Sequence, residues 1–112
     1  MRKKEVLRGK KDFNRAYKKG KSIRDRYLVL VYLENSLPYT RTAFLASKKV
    51  GNSVQRNRAK RLMKESYRAL RDEVIEGYDL IIIARNTING KKCGEVGDSL
   101  KKSMKKAHLM VE

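Results

Sequence analysis

The sequence has little of what protein-borne chemistry requires. Among 112 residues there is one cysteine, Cys93, and one histidine, His108. A single cysteine excludes an internal disulfide and falls short of the roughly four ligands of a zinc site. That usage fits a reducing compartment and makes the cytoplasm the expected location. Cys93 itself reads as a small, half-buried residue at a helix start. His108 stands among Lys105, Lys106 and Met110, the setting of a surface residue rather than of a general base. Acids are scarce, 12 against 29 Lys and Arg. The three that lie together, Asp72, Glu73 and Glu76, have the helical spacing of charge partners for Arg68 and Arg71, not the convergence of a metal cluster. Gly20 and Gly51 sit in no spaced phosphate loop. The expectation is a chain with no catalytic and no metal-binding residue, no cofactor of its own and no small-molecule substrate. Long apolar runs are missing as well. The longest, Leu28 to Leu33 and Leu80 to Ala84, fall far below the roughly 20 residues of a membrane span. The opening MRKKEVLRGKK has bases with no apolar stretch behind them, unlike a secretory leader.

What is abundant is positive charge on a chain hydrophobic enough to fold. The formal net charge is +17 and the hydrophobic fraction 40%. The length suits one domain, residues 1–112, with residues 1–9 as a mobile basic arm. Residues 1–61 hold 19 Lys and Arg against four acids, Glu5, Asp12, Asp25 and Glu34. Between Asn35 and Lys64 there is no acid at all, while Arg41, Lys48, Lys49, Arg56, Arg58, Lys60, Arg61 and Lys64 accumulate with nothing near in sequence to neutralise them. Like charges so crowded repel one another unless a polyanion screens them, so the block reads as a phosphate-binding surface and the partner as nucleic acid.

Periodicity places the elements. Lys10 to Lys19 reads as a helix with Phe13, Ala16 and Tyr17 on one side, closed by Gly20. Tyr27 to Leu33 and Thr42 to Ser47 read as strands around a turn containing Asn35 and Pro38, most simply an antiparallel pair. After Gly51 and Asn52, Ser53 is the expected N-cap of a long helix to about Glu76. Its apolar side carries Ala59, Leu62, Met63, Ser66, Tyr67, Leu70 and Val74, and its opposite side Asn57, Arg61, Lys64, Arg68 and Arg71. Tyr78 to Ala84 reads as a strand buried on both faces, Asn86 to Lys92 as a loop. A last helix from about Cys93 or Glu95 turns Val96, Leu100, Met104, Ala107 and Val111 inward. The order is αββαβα, an α+β two-layer sandwich.

The most informative segment is SKKVGNSVQRNRAKRLMKE, residues 47–65. A helix start offers unpaired backbone N–H groups to phosphate, and arginine adds two-pronged hydrogen bonds. Asn57, between two arginines, can donate and accept, which suits a sugar or base edge. This segment resembles the signature of the bacterial ribonuclease P protein family, whose helix carries an Arg-Asn-Arg motif. The resemblance extends to DFNRAYKKG at Asp12 to Gly20 and to YDLIIIAR at Tyr78 to Arg85. It implies a left-handed βαβ crossover around the long helix, against the right-handed sense of nearly all such connections. It also implies a partner, a catalytic RNA that removes the 5′ leader of precursor tRNA with Mg2+ held by the RNA. Lys48, Lys49, Asn52, Arg56, Asn57, Arg58, Lys60 and Arg61 would contact that RNA. Phe13, Tyr17, Val29 and Val31, with Asn57 and Lys60, would hold the unpaired leader. Some members of the family place an aromatic residue where this chain has Val31. Two other readings share the composition: a ribosomal protein, and a free-standing protein nuclease, for which the inventory of acids and histidine is poor.

Overall fold

The computed structural model describes residues 3–111. Helix α1 (Lys10–Lys19) is followed by strands β1 (Lys21–Arg24), β2 (Leu28–Glu34) and β3 (Arg41–Leu45), helix α2 (Ser53–Leu70), strand β4 (Tyr78–Ala84) and helix α3 (Cys93–Lys106). The architecture is α+β. The four strands form one sheet in the order β1-β2-β4-β3. Because β4 is apolar on both sides, it takes a central place, antiparallel to β2 and parallel to β3. The antiparallel β2–β3 pair expected from the sequence therefore does not exist, since β4 lies between them. The β3–α2–β4 segment is instead a parallel crossover.

Two apolar layers sandwich the sheet. Leu28, Leu30, Leu80, Ile82 and Ala84 face α2 and α3, meeting Ala59, Leu62, Met63, Tyr67, Leu70, Val96, Leu100 and Met104. Val31 and Ile81 face the other way, towards Leu7 and Ala16, with Phe13, Val29, Ala43, Leu45 and Ile83 around them. Each such side chain contributes about 1.5–3 kcal/mol when wholly buried, so β4, which feeds both layers, is the strand the fold can least lose.

The buried side of α2 is the one its periodicity indicates, from Ala59 to Leu70. Its ends differ. Asn52, not Ser53, is the cap: its side chain accepts from the Gln55 amide at 2.9 Å while Gln55 Oε1 accepts from the Asn52 amide at 2.9 Å. At the other end the helix stops at Leu70 and tightens into a 3-10 turn, Arg71–Glu73, which still delivers Val74 to the core. Strand β1 was not expected, because KSIR has one apolar residue and forms an exposed edge. The arm is not loose over its described part. Leu7 is buried, its amide donates to the Thr42 carbonyl at 2.8 Å, and Val6 bridges Thr42 along β3. Residues 1 and 2 of that arm lie outside the described residues. Arg71 pairs with Glu5 of this segment, which displaces the expected pairing with Asp72, Glu73 and Glu76. At the C-terminus His108 has φ 58° and turns the chain, so Leu109 is buried and Val111, expected inside, is 58% exposed. Cys93 is exposed rather than half-buried.

Candidate nucleic-acid interface

The face of the sheet away from α2 and α3 is only partly roofed. Helix α1 crosses one end of it, with Ala16 against Val31 and Ile81. Helix and sheet come this close because Gly20 has no side chain: a Cβ there would lie 2.5 Å from the Ala16 carbonyl oxygen and 2.9 Å from Val31 Cγ1. Strand register sets Val29 opposite Ile83 and Ile83 opposite Leu45, so these three half-buried side chains form an apolar row across β2, β4 and β3. The row is the open floor of a trough. Its wall is aromatic. Phe13 is half-buried, whereas Tyr17 is 56% exposed, and the two rings stack with centroids 6.1 Å apart and planes inclined by 18°.

A buried ion cluster fixes the wall to the floor. Asp79, wholly buried at the start of β4, accepts from Arg41 Nε at 2.8 Å, from Arg41 Nη2 at 2.7 Å and from Asn35 Nδ2 at 2.9 Å. Arg41 reaches on to Asp12 of α1 at 3.2 Å, and Arg15 of α1 approaches Asp79 at 3.8 Å. Hydrogen bonding to Asp79 raises the Arg41 pKa above its usual value, against the opposing effect of burial. Arg41 is thus not one of the uncancelled bases of the phosphate-binding block; its partner lies 38 residues away in sequence.

Helix α2 presents the rest of that block. Lys48, Lys49, Asn52, Asn57, Arg61 and Lys64 are exposed; Arg56, Arg58 and Lys60 are half-buried along the flanks. Two of these groups have structural duties. The Asn52 side chain closes the helix start, and Arg58 Nη2 donates to the Lys91 carbonyl at 2.8 Å, tying α2 to the loop before α3. Helical geometry sets Arg56 and Lys60 on the flank that carries Tyr67, which meets Phe44 of β3 edge-on at 6.1 Å. The structure brings Phe13, Tyr17, Val29 and Val31 together. It sets Asn57 and Lys60 on a helix packed against the opposite side of the sheet.

Sequence reasoning missed Ile83 and Leu45 as floor residues, and missed the Arg41–Asp79 cluster. A signal existed for both: YDLIIIA opens with a lone Asp in an otherwise apolar strand, and a buried carboxylate demands a cationic partner.

A mixed sheet with a basic helix on one side and an aromatic-walled trough on the other defines a small RNA-binding protein of a ribonucleoprotein. The family model for ribonuclease P matches residues 1–108. The chain belongs to that family, and so to the protein components of an endoribonuclease that processes tRNA. It is 38% identical over 105 residues to the ribonuclease P protein component of Pelotomaculum thermopropionicum, covering 94% of both chains. With that of Clostridium botulinum strain Loch Maree it shares 44% over 108 residues, covering 96% of this chain and 97% of that one. The solved RNase P protein of Staphylococcus aureus superposes with a TM-score of 0.83 at 30% identity, covering 94% of this chain and 96% of that one. The RNase P protein from Thermotoga maritima gives 0.81 at 27% identity over 91% and 96%.

Proposed function

We propose that this protein grips the catalytic RNA of ribonuclease P with the basic face of α2 and holds the unpaired 5′ leader of precursor tRNA in the trough beside α1. The observation that carries this reading is the separation of two surfaces of different chemistry. One is charged, exposed and suited to the phosphates of a folded RNA. The other is apolar, half open and bordered by stacked rings, suited to bases without regard to sequence, at about 1–3 kcal/mol per stacked base. The roles fall to Lys48, Lys49, Arg56, Asn57, Lys60 and Arg61 on the first, with Asn52 and Arg58 shaping it, and to Phe13, Tyr17 and Val29 on the second, with Val31 seating α1 against the sheet. Val31 is covered by α1, so Val29, Ile83 and Leu45 form the floor a base would touch. Asn57 and Lys60 reach the leader only where it leaves the trough around the β3 edge. Hydrolysis belongs to the RNA and its Mg2+ ions; the protein's part is positioning.

The test compares two double variants in reconstituted holoenzyme. Arg56→Ala with Arg61→Ala should weaken assembly with the catalytic RNA for every substrate, each contact being worth about 1.5–3 kcal/mol before solvation is counted. Phe13→Ala with Tyr17→Ala, checked for folding by circular dichroism, should leave assembly intact and weaken precursor tRNA bearing a long leader while sparing mature tRNA. Equal weakening of both tRNAs by the aromatic pair would refute the trough.

A further inference from the structure

A cavity of about 220 Å3 opens at the end of the sheet where β1 begins, lined by Lys19, Lys21, Tyr32, Leu33, Glu34 and Tyr78. Register explains the lining. Lys21 lies opposite Tyr32, and Glu34 opposite Tyr78, so these four side chains share the sheet face turned away from the trough. Strand β1 ends its pairing at Lys21, which leaves the edge of β2 beside Leu33 and Glu34 uncovered. Both tyrosines are half-buried against the main core, so their rings are held in place before any ligand arrives. The charges around them are uncommitted. Among the described residues, neither Lys19, Lys21 nor Glu34 takes part in an ion pair, although all three line one small cavity.

We propose that this cavity is a second RNA site, taking one unpaired nucleotide with a preference for guanine. Tyrosine rings offer a flat apolar surface to any base. The ammonium groups of Lys19 and Lys21 suit the attached phosphate. The Glu34 carboxylate would select among bases, because it accepts only: guanine presents N1–H and N2–H side by side, matching two carboxylate oxygens, whereas uracil presents one N–H between two repelling carbonyls. Lys21, Tyr32, Glu34 and Tyr78 set the site on the sheet face away from the trough, and Lys19 of α1 and Leu33 close it from the other side at the sheet's end.

The experiment follows backbone amide shifts of the full-length protein in two-dimensional NMR during titration with guanosine 5′-monophosphate, uridine 5′-monophosphate and ribose 5-phosphate. Guanosine monophosphate should shift Lys21, Tyr32, Glu34 and Tyr78 at lower concentration than the uridine nucleotide does. Glu34→Gln should erase that preference, and Lys19→Ala with Lys21→Ala should weaken binding roughly tenfold; all three positions are exposed, so the fold is spared. A five-residue RNA, UUGUU, should bind the same residues more tightly than the mononucleotide and more tightly than UUUUU. Ribose 5-phosphate matching guanosine monophosphate would overturn the proposal in favour of a bare anion site. Shifts confined to α2 or to the trough would overturn it as well, and UUGUU no tighter than the mononucleotide would mean a site for free nucleotides instead. Phe13→Ala should leave these shifts unchanged, so loss of the trough reading and loss of this one appear in different measurements.

Discussion

Replacing Arg41 with methionine should be among the most damaging single changes on the cleft side of the sheet. The substitution keeps most of the aliphatic length but removes two of the three hydrogen bonds, at 2.7 and 2.8 Å, that Asp79 accepts from Arg41 and Asn35. What remains near the wholly buried carboxylate is Asn35 at 2.9 Å and Arg15 at 3.8 Å. Breaking a buried pair by removing one partner costs about 3–5 kcal/mol, because the other charge is left desolvated. For a chain of this length about 4 °C of melting temperature accompanies each kcal/mol, so Tm should fall by roughly 12–20 °C. Replacing both partners, Arg41→Met with Asp79→Leu, removes the stranded charge and should recover most of that loss, to within about 1–2 kcal/mol of the parent. Urea unfolding of the four proteins at constant ionic strength measures the cycle. If Arg41→Met costs less than about 1 kcal/mol, or if the two single losses simply add, the cluster is not the anchor of α1 described above. Because Asp12 and Arg15 of α1 belong to the same cluster, the double variant should regain stability without regaining the parent's affinity for long leaders.

Three further outcomes are expected. Affinity for the catalytic RNA should fall steeply with salt: six neutralised phosphates imply a log-log slope of about −4 on single strands and −5 on duplex, and a flat response in filter binding would exclude the basic face as the contact. Gly20→Ala should destabilise by about 1–3 kcal/mol, since its Cβ has no room between α1 and β2, and a neutral result in chemical denaturation would contradict the close approach. Burial, aided by the charge of Glu76, holds the Tyr67 hydroxyl neutral up to about 12, above the value of 10.0 for an exposed tyrosine. A folded-state pKa above the unfolded one means stability complete below pH 10 and lost as pH rises towards 12, so Tyr67→Phe should gain on the parent across that interval. Parallel urea midpoints for the two proteins between pH 9 and 12 would contradict it.

Much of the fold was legible because helices and the central strand write their burial locally. The six apolar-side residues that fall within α2 are all buried, as is Val74 beyond its end, and β4 runs from Tyr78 to Ala84 as its composition indicates. Strand pairing was not legible in the same way. Nothing local to β2 or β3 tells that a strand from residue 78 onward will slide between them; that follows only from β4 needing cover on both faces. The docked arm failed for a related reason. Glu5 looks like one acid lost among lysines, and its partner Arg71 is 66 residues distant. Of the interface, the aromatic wall was visible as a helical stripe, but a stripe of Phe13, Ala16 and Tyr17 is equally a core signature. Only the exposure of Tyr17 beside the half-open row of Val29, Ile83 and Leu45 separates the two.

The two surfaces sit on opposite sides of one sheet, and the crossover between them makes them a single rigid piece. Strands β3 and β4 supply Leu45 and Ile83 to the trough, and α2 is the segment that joins those two strands. Its entry is braced. Asn89 Nδ2 donates to the Val50 carbonyl at 2.6 Å, Arg58 donates to the Lys91 carbonyl, and Val50 is buried, so the turn after β3 is held against the loop before α3. A basic helix seated on a folded RNA therefore fixes the position of the trough relative to that RNA with little hinge freedom between them. This geometry turns charge into measurement. Phosphate contacts carry no sequence information, and neither does stacking, but under the proposed function a fixed separation between them would let only a leader long enough to span from the RNA-held end of tRNA to Tyr17 gain the stacking energy. Affinity should accordingly rise with leader length in a step rather than a slope, and shortening the loop of residues 86–92, which braces the turn, should blur that step without lowering affinity for the catalytic RNA. A smooth dependence on leader length in the parent protein would mean that the two surfaces move independently.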